Sequence, residues 1–409
     1  MRLPSFFVAA CLLAGPALAE PLTFDQAIAR AVAEGPSARA AGLEIDAAKR
    51  DAAAAGRLPD PSLNFGIINY PVSGPVAGRF DGDSGTMQTI GISQDVPSGA
   101  RREAERTRAG ADIAAAQARS RMTEREIQVA TALAWIDLYY AKRRLAAVDD
   151  VLRELEPLWA SSGAGVASGT MRPGQALEPL QMKAALQDRR SELAAAVGKA
   201  RAELVRWTGD PLADVAGAPP PFTVDAVSLR AGIDRHPMLL EFDARVRQAR
   251  ADVGLAEAGK RPDWNFGLSY GRRDPMYGDM VSATATVSLP LFGERRQDSR
   301  IAARRIDASR LEMERESARR ALVAALEADL AEHAMHQDQW VRARDVTLSL
   351  ARERADLETA SYGAGRTSLA DVIAALTGLA EAQLAMLDRE ALVARDGARI
   401  VMTYGGEGQ

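Results

Sequence analysis

Cysteine is all but absent from this chain: among 409 residues there is only Cys11. That excludes a disulfide framework and any metal site built on several thiolates. Histidine is nearly as scarce, with His236, His333 and His336 the full set. The sequence reads without an HExxH, P-loop, G-x-S-x-G or cysteine-nucleophile pattern, and so as a non-enzyme with no bound cofactor. Aromatics make up 5% of the chain although hydrophobic residues reach 47%. The apolar content is therefore mostly Ala, Leu and Val, which suits long helices packed through small side chains better than a bulky core. Charge of one sign is missing too. The 51 basic and 55 acidic residues are well mixed, for a net charge of −4, and without a basic stripe no nucleic-acid partner is expected.

The N-terminus reads as an export segment. Arg2 supplies a positive start, Leu3 to Gly15 an apolar stretch, and Ala17-Leu18-Ala19 an A-x-A cleavage site before Glu20. Val8-Ala9-Ala10-Cys11 also has the look of a lipoprotein box, which would lipidate Cys11 instead. The apolar run is shorter than the ~20 residues that a spanning helix needs, and no later run is long enough either.

Beyond residue 19 the chain repeats one order of elements twice, with a period of about 200 residues. A first repeat spans 20–208, a Pro-rich linker 209–225, a second repeat 226–404 and a short tail 405–409. Each repeat starts with a helical stretch, Thr23 to about Arg57 and Val227 to about Arg261. Each then meets a Pro-Asp break, LPDPSLNFG at 58–66 and RPDWNFG at 261–267. Two strands follow, at about 62–70 and 86–96 in the first repeat and 264–271 and 280–290 in the second. DVPSGARR (95–102) and LPLFGERR (289–296) end the second strand of each pair. A very long helix comes next, Gly99–Trp159 and Gly293–Leu357, then a Gly-rich turn (161–170; 362–366) and a helix of about 35 residues.

The strands alternate apolar and polar side chains. Trp264, Phe266, Leu268 and Tyr270 interleave with Asn265, Gly267, Ser269 and Gly271, and Val281 to Leu289 does the same with Ser and Thr. The length suits a tilted membrane strand. Four strands leave two open edges, and the smallest membrane barrels need eight. Association of identical chains removes the edges, and three copies would supply twelve strands. The long helices, at about 1.5 Å rise per residue, would extend roughly 90–100 Å. Val129, Leu133, Ile136 and Tyr140, and again Val148, Leu152, Leu155 and Trp159, step by 4-3-4 as a coiled-coil seam does.

Three segments carry a family resemblance: ISQDVPSGARR (92–102), AEAGKRPDWNFGLSYG (256–271) and YGAGRTSLADVIAALTGLAEAQLAMLD (362–388). The chain resembles the outer-membrane efflux proteins typified by TolC over nearly all its length. LPDPSLNFGIINYPVSGP (58–75), Met87 and RRDPMYGDMVSATATVSLPLF (272–292) liken it most to the heavy-metal branch containing CusC and CzcC. The resemblance implies a mainly α fold with a small β part. Long antiparallel coiled-coil helices join a four-stranded membrane sheet, which trimerisation completes to a twelve-stranded barrel. It also implies an outer-membrane location with a large periplasmic part, contact with outer-membrane lipid, and two protein partners. These are a periplasmic adaptor (membrane fusion) protein and an inner-membrane pump of the resistance-nodulation-division type. The function implied is a passive exit duct for a heavy metal or other cation; the alternative is a periplasmic coiled-coil structural or adaptor protein without its own pore.

Within that family the turn before the last helix carries a Tyr, an Arg and two Asp that close the periplasmic end. Tyr362, Arg366 and Asp371 fall on matching positions, while Ala374 replaces the second Asp. The resemblance implies an acidic constriction from Asp371 and a latch from Tyr362 and Arg366. His333 and His336, three apart on a helix, form a weaker candidate pair for a transition metal, with no third ligand fixed by spacing. Met276 and Met280 offer thioethers in the loop before the fourth strand. Tyr70, Trp264, Tyr270 and Tyr277 stand near strand ends, where interfacial aromatics are expected.

Overall fold

The computed structural model describes residues 21–81, 83–167 and 177–406. Its elements are α1 (Phe24–Glu34), α2 (Pro36–Ala54), β1 (Ser62–Ile68), β2 (Met87–Val96), α3 (Gly99–Ala167), α4 (Leu177–Thr208), α5 (Ala226–Gly232), α6 (Pro237–Ala258), β3 (Trp264–Arg272), β4 (Met280–Val287), α7 (Gly293–Arg342), α8 (Leu348–Gly363) and α9 (Leu369–Tyr404). The export segment with Cys11, most of the end of the tail, and residues 168–176 of the first Gly-rich turn lie outside the described residues.

Two prolines divide helices that the apolar pattern joins. Pro36 opens α2 one residue after Gly35 ends α1, and Pro237 opens α6 behind His236. A proline is tolerated at the first helical position, where its missing N–H has no intrahelical acceptor, and it disfavours helix in the residue before it. The breaks fall at the same point of each repeat. The third long stretch is also interrupted, since a π-helical segment, Ala343–Thr347, separates α7 from α8. The fourth strand stops at Val287, short of the expected 290, because Leu289-Pro290 turns the chain toward α7.

The chain divides into two compact units, each drawing on both repeats. The first contains 124–232 and 324–409 with the N-terminal residues to Arg39. Its core is anchored on Trp135, Ile136 and Leu138 of α3, all fully buried, packed with Phe24 of α1, Leu204 of α4 and Ala398 of α9. The Trp135 indole N–H donates to the Leu22 carbonyl at 2.9 Å, and its ring meets Phe24 edge-on at 5.6 Å. Further along, Val151, Leu155 and Trp159 pack on Leu186, Leu369 and Ile373. Of the two 4-3-4 seams, Ile136, Tyr140, Val148, Leu155 and Trp159 are buried.

α9 corrects one expectation. By length and mean hydropathy it is apolar enough to cross a membrane, although no such run was expected. Its apolar side is the core of this unit, with Val372, Ile373, Leu387 and Ile400 buried. Its polar side is ion-paired to α3: Arg143 with Glu390 at 2.7 Å, Arg144 with Asp388 at 2.6 Å and Arg395 with Asp137 at 2.7 Å. It is a packed helix of the bundle.

The second unit, 40–123 and 233–323, holds the sheet and helices joined mainly through alanine. Ala115 and Ala118 pack on Ala244, and Val246 and Ala249 on Ala308 and Leu311. Gly56 ends the α2 turn at φ 68°, and a Cβ there would lie 2.5 Å from the Arg102 carbonyl oxygen, so only glycine fits. The two sequence motifs that end and begin strands meet at Asp263. Its carboxylate accepts from the Ser98 N–H at 2.7 Å and from Arg101 at 3.0 Å, and its own N–H donates to Ser288 Oγ at 2.9 Å. One aspartate thus ties the start of α3 to the start of β3 and the end of β4.

Replacing Trp135 by Ala should cost roughly 3–5 kcal/mol through the cavity left by a large buried side chain. The shift of the urea unfolding midpoint, followed by helical circular dichroism, measures it.

Candidate functional site

The strands form one antiparallel sheet in the order β1-β2-β3-β4. The register puts Leu63, Ile92, Leu268 and Ala283 in one row across it, and Phe65, Ile90, Tyr270 and Val281 in the next. The intervening rows are Asn64, Gly91, Ser269 and Ser282, and Ser62, Ser93, Gly267 and Thr284. Side chains directly opposite one another share a face, so one face is apolar and the other is lined with hydroxyls, amides and glycine. Among the described residues of the second unit nothing covers the apolar face: Phe65 is 72% exposed and Val281 69%. On the polar face, Asn64 donates to Ser93 Oγ at 3.0 Å and Asn265 to Asp95 at 2.7 Å. A Cβ on Gly267 would come within 2.6 Å of Thr284 Oγ1, so this face packs closely along the strands. β1 and β4 each pair on one side only. Their outer backbone groups are open to another strand.

Gly267-Leu268-Ser269-Tyr270-Gly271 does spell G-x-S-x-G, which corrects the expectation that this pattern is absent. A nucleophile elbow needs a sharp strand-to-helix turn. Here the serine lies mid-strand in β3, between Gly91 and Ser282, and no catalytic role follows. Of the expected interfacial aromatics, Trp264 stacks on Phe266 at 5.9 Å, Tyr70 lies against Phe80 at 4.8 Å, and the Tyr270 hydroxyl bonds Asp279 in the β3–β4 loop. Met276 is 76% exposed in that loop.

The turn between α8 and α9 belongs to the first unit. Ser368 is the N-cap of α9, and its hydroxyl accepts from the Asp371 N–H while the Asp371 carboxylate returns to the Ser368 N–H. Asp371 Oδ2 receives three donors: Ser368 N–H at 3.1 Å, Ser368 Oγ–H at 2.6 Å and Thr367 Oγ–H at 3.1 Å. These bonds hold the carboxyl below the usual carboxylate range while leaving it exposed. The charge is therefore fixed at the turn by a capping box. Tyr362 is 40% exposed. Neither its hydroxyl nor the Arg366 guanidinium meets a partner among the described residues. Ala374 is exposed one turn beyond Asp371.

His333 and His336 lie three residues apart on α7. His336 Nδ1 lies 2.7 Å from Asp396 Oδ2 of α9, both nearly buried. Asp396 and Asp329 also face Arg399, and Asp329 accepts from Tyr404 at 2.9 Å. Burial pushes His333 down from its ordinary 6.5, against the pull of Asp396. Among the described residues no group of three or more His, Cys, Asp or Glu side chains is arranged to hold a metal.

An unclosed amphipathic sheet whose apolar face is bare, joined to paired long helices, defines a TolC-like channel fold. The same fold occurs in CusC, whose structures report conformational changes accompanying folding and transmembrane channel formation (TM-score 0.76, 16% identity, 94% of this chain and 92% of that one). It occurs in the Campylobacter jejuni CmeC outer membrane channel (0.77, 10%, 99% and 93%) and in the open state of the Neisseria gonorrhoeae MtrE outer membrane channel (0.75, 16%, 94% and 89%). No curated protein matches the sequence. Residues 230–406 match the family described as outer membrane efflux protein.

Leu268 sits in the middle of β3 on the apolar face, Ser282 on the polar one. In lipid, Leu268→Arg should destabilise the folded sheet by about 2–4 kcal/mol, whereas Ser282→Arg should cost far less. Unfolding titrations in vesicles compare them.

Proposed function

We propose that this chain is an outer-membrane efflux channel and works as a homotrimer, with three four-stranded sheets pairing β1 to β4 into a twelve-stranded barrel. The observation that carries this is the pair of open edges on a sheet whose apolar face is bare. In lipid every backbone N–H and C=O must find a partner within protein, so a spanning sheet has to close. The polar rows, with Ser62, Asn64, Ser269, Ser282 and Thr284, then line the duct. Energy comes from a partner pump in the inner membrane, of the resistance-nodulation-division type, reached through a periplasmic adaptor. Helix pairs built on small residues and ion pairs form the periplasmic part.

The cargo assigned here is a heavy-metal or other cation. Support comes from the likeness of residues 58–75 and 272–292 to the heavy-metal branch and from the exposed Met276. The gate assigned is the α8–α9 turn, where Asp371 contributes a fixed negative charge and Tyr362 and Arg366 present free polar ends to another helix pair. His336 is held by Asp396, and the histidine pair on α7 is left out of the transport path.

Expression of the full-length gene, separation of inner and outer membranes, and calibrated sizing of the extracted protein test the assembly. Recovery from the outer membrane at three times the chain mass is expected; a soluble monomer overturns the barrel. A deletion strain should then lose tolerance to copper, silver, zinc or cobalt salts, and unchanged growth on all of them removes the metal assignment. At the gate, Asp371→Asn should weaken cation preference in planar bilayers. A threefold ring of charge would shift the reversal potential under a salt gradient, and an unchanged potential rejects the ring.

A further inference from the structure

Where β3 begins and β4 ends, the second unit holds a half-open pocket of about 500 Å³. One wall is apolar: Leu289, Leu291 and Phe292 are 63%, 75% and 75% exposed. Arg261, Arg296 and Arg300 also line the pocket. The acidic groups in the same cavity are already engaged. Asp263 and Glu105 both hold Arg101, at 3.0 and 3.2 Å. Arg261, Arg296 and Arg300 meet no carboxylate among the described residues, and the Oε1 atom of Gln297 is buried there without a donor. Three unneutralised cations beside bare Leu and Phe side chains fit an amphiphile with an anionic head and an apolar tail.

Location selects the source. The eight residues of β4 extend about 27 Å along the strand at ~3.4 Å each, which at a tilt of ~40° crosses roughly 20 Å, most of the ~25 Å apolar band of a membrane barrel. The cavity begins where that band ends, directly after Val287 and before Trp264. A second copy of the chain would need to bring carboxylates to the three arginines, whereas a phospholipid of the adjoining leaflet brings a phosphate and lays its acyl chains along Leu291 and Phe292.

We infer that this cavity is a binding site for the headgroup of an anionic phospholipid in the leaflet next to the helices. The inference rests on the membrane placement of the sheet proposed above. The lipid holds the junction of strands and helices at a fixed depth: its phosphate is gripped by Arg261, Arg296 and Arg300, and Leu291 and Phe292 enter the acyl region. Arginine suits the task, since its planar fork bonds phosphate oxygens in pairs.

The test uses the full-length protein extracted as its assembled form into micelles containing phosphatidylethanolamine and phosphatidylglycerol, with lipid adducts counted by native mass spectrometry. Wild type should retain phosphatidylglycerol at one per chain. The triple variant Arg261→Gln, Arg296→Gln, Arg300→Gln should reach the outer membrane and assemble, yet bind that lipid roughly a hundredfold more weakly, each cation near an anionic surface giving about fivefold. Equal retention by wild type and variant overturns the site. Displacement of the lipid by millimolar inorganic phosphate also overturns it, by showing a plain anion site. If Leu291→Ser with Phe292→Ser splits the assembly while lipid retention stays intact, the surface is a contact between copies. Wild type that never reaches the outer membrane overturns the channel reading and this inference together, so the two failures are told apart.

Discussion

An unpaired strand edge in lipid is the constraint on which this protein's organisation depends. Each backbone N–H and C=O left open in the hydrocarbon costs several kcal/mol, and one chain supplies only four strands, with β1 and β4 open on their outer sides. The chain does not close its sheet by adding strands. It keeps the edges, a bare apolar face and a polar face, and in the proposed trimer closure falls to identical copies. A sheet of this kind is poorly matched to water in isolation, since its exposed Phe65, Leu268 and Val281 would favour indiscriminate association. In the proposed trimer, folding and assembly are thereby coupled.

The helical parts meet a different demand. With few aromatics to bury, the second unit packs through Ala115, Ala118, Ala244 and Ala249, and each alanine removes little apolar area from water. Directional polar contacts supplement this: Arg315 with Asp243 at 2.6 Å and Arg319 with Asp234 at 2.7 Å. Such partly exposed pairs contribute little each, but they fix the register between helices that alanine alone would let slide. The scarce large side chains are concentrated instead in the first unit, around Trp135, Phe24 and Trp159.

The strands were the most legible part of the sequence, because period-2 alternation bounded by Pro-Asp and Pro-Gly leaves little freedom. β2 and β3 lie within one residue of their expected limits. Helix existence was equally plain, but helix continuity was not. Apolar spacing runs through Gly35-Pro36 and His236-Pro237 without a pause, and backbone chemistry at the proline, not hydrophobicity, decides the break. The π-helical segment at Ala343–Thr347 has no signal in residue type that we can identify. At the α8–α9 turn, Ser368 and Asp371 are spaced as a capping box, so the local geometry of Asp371 was readable from S-x-x-D alone. The partner of His336 was not, because Asp396 lies 60 residues away on another helix.

The capping box at Asp371 has a consequence for acid conditions. The same carboxylate that presents charge at the turn also holds the first turn of α9, through Oδ2. Its folded pKa lies below the ordinary 3.8, so its stabilising effect is present above that value and is lost as pH falls through the folded one. Charge and helix end therefore titrate as one event. A surface aspartate without donors would begin to discharge earlier and leave its helix untouched. This one stays ionised further into acid, and when it does give way the turn loosens at the same step.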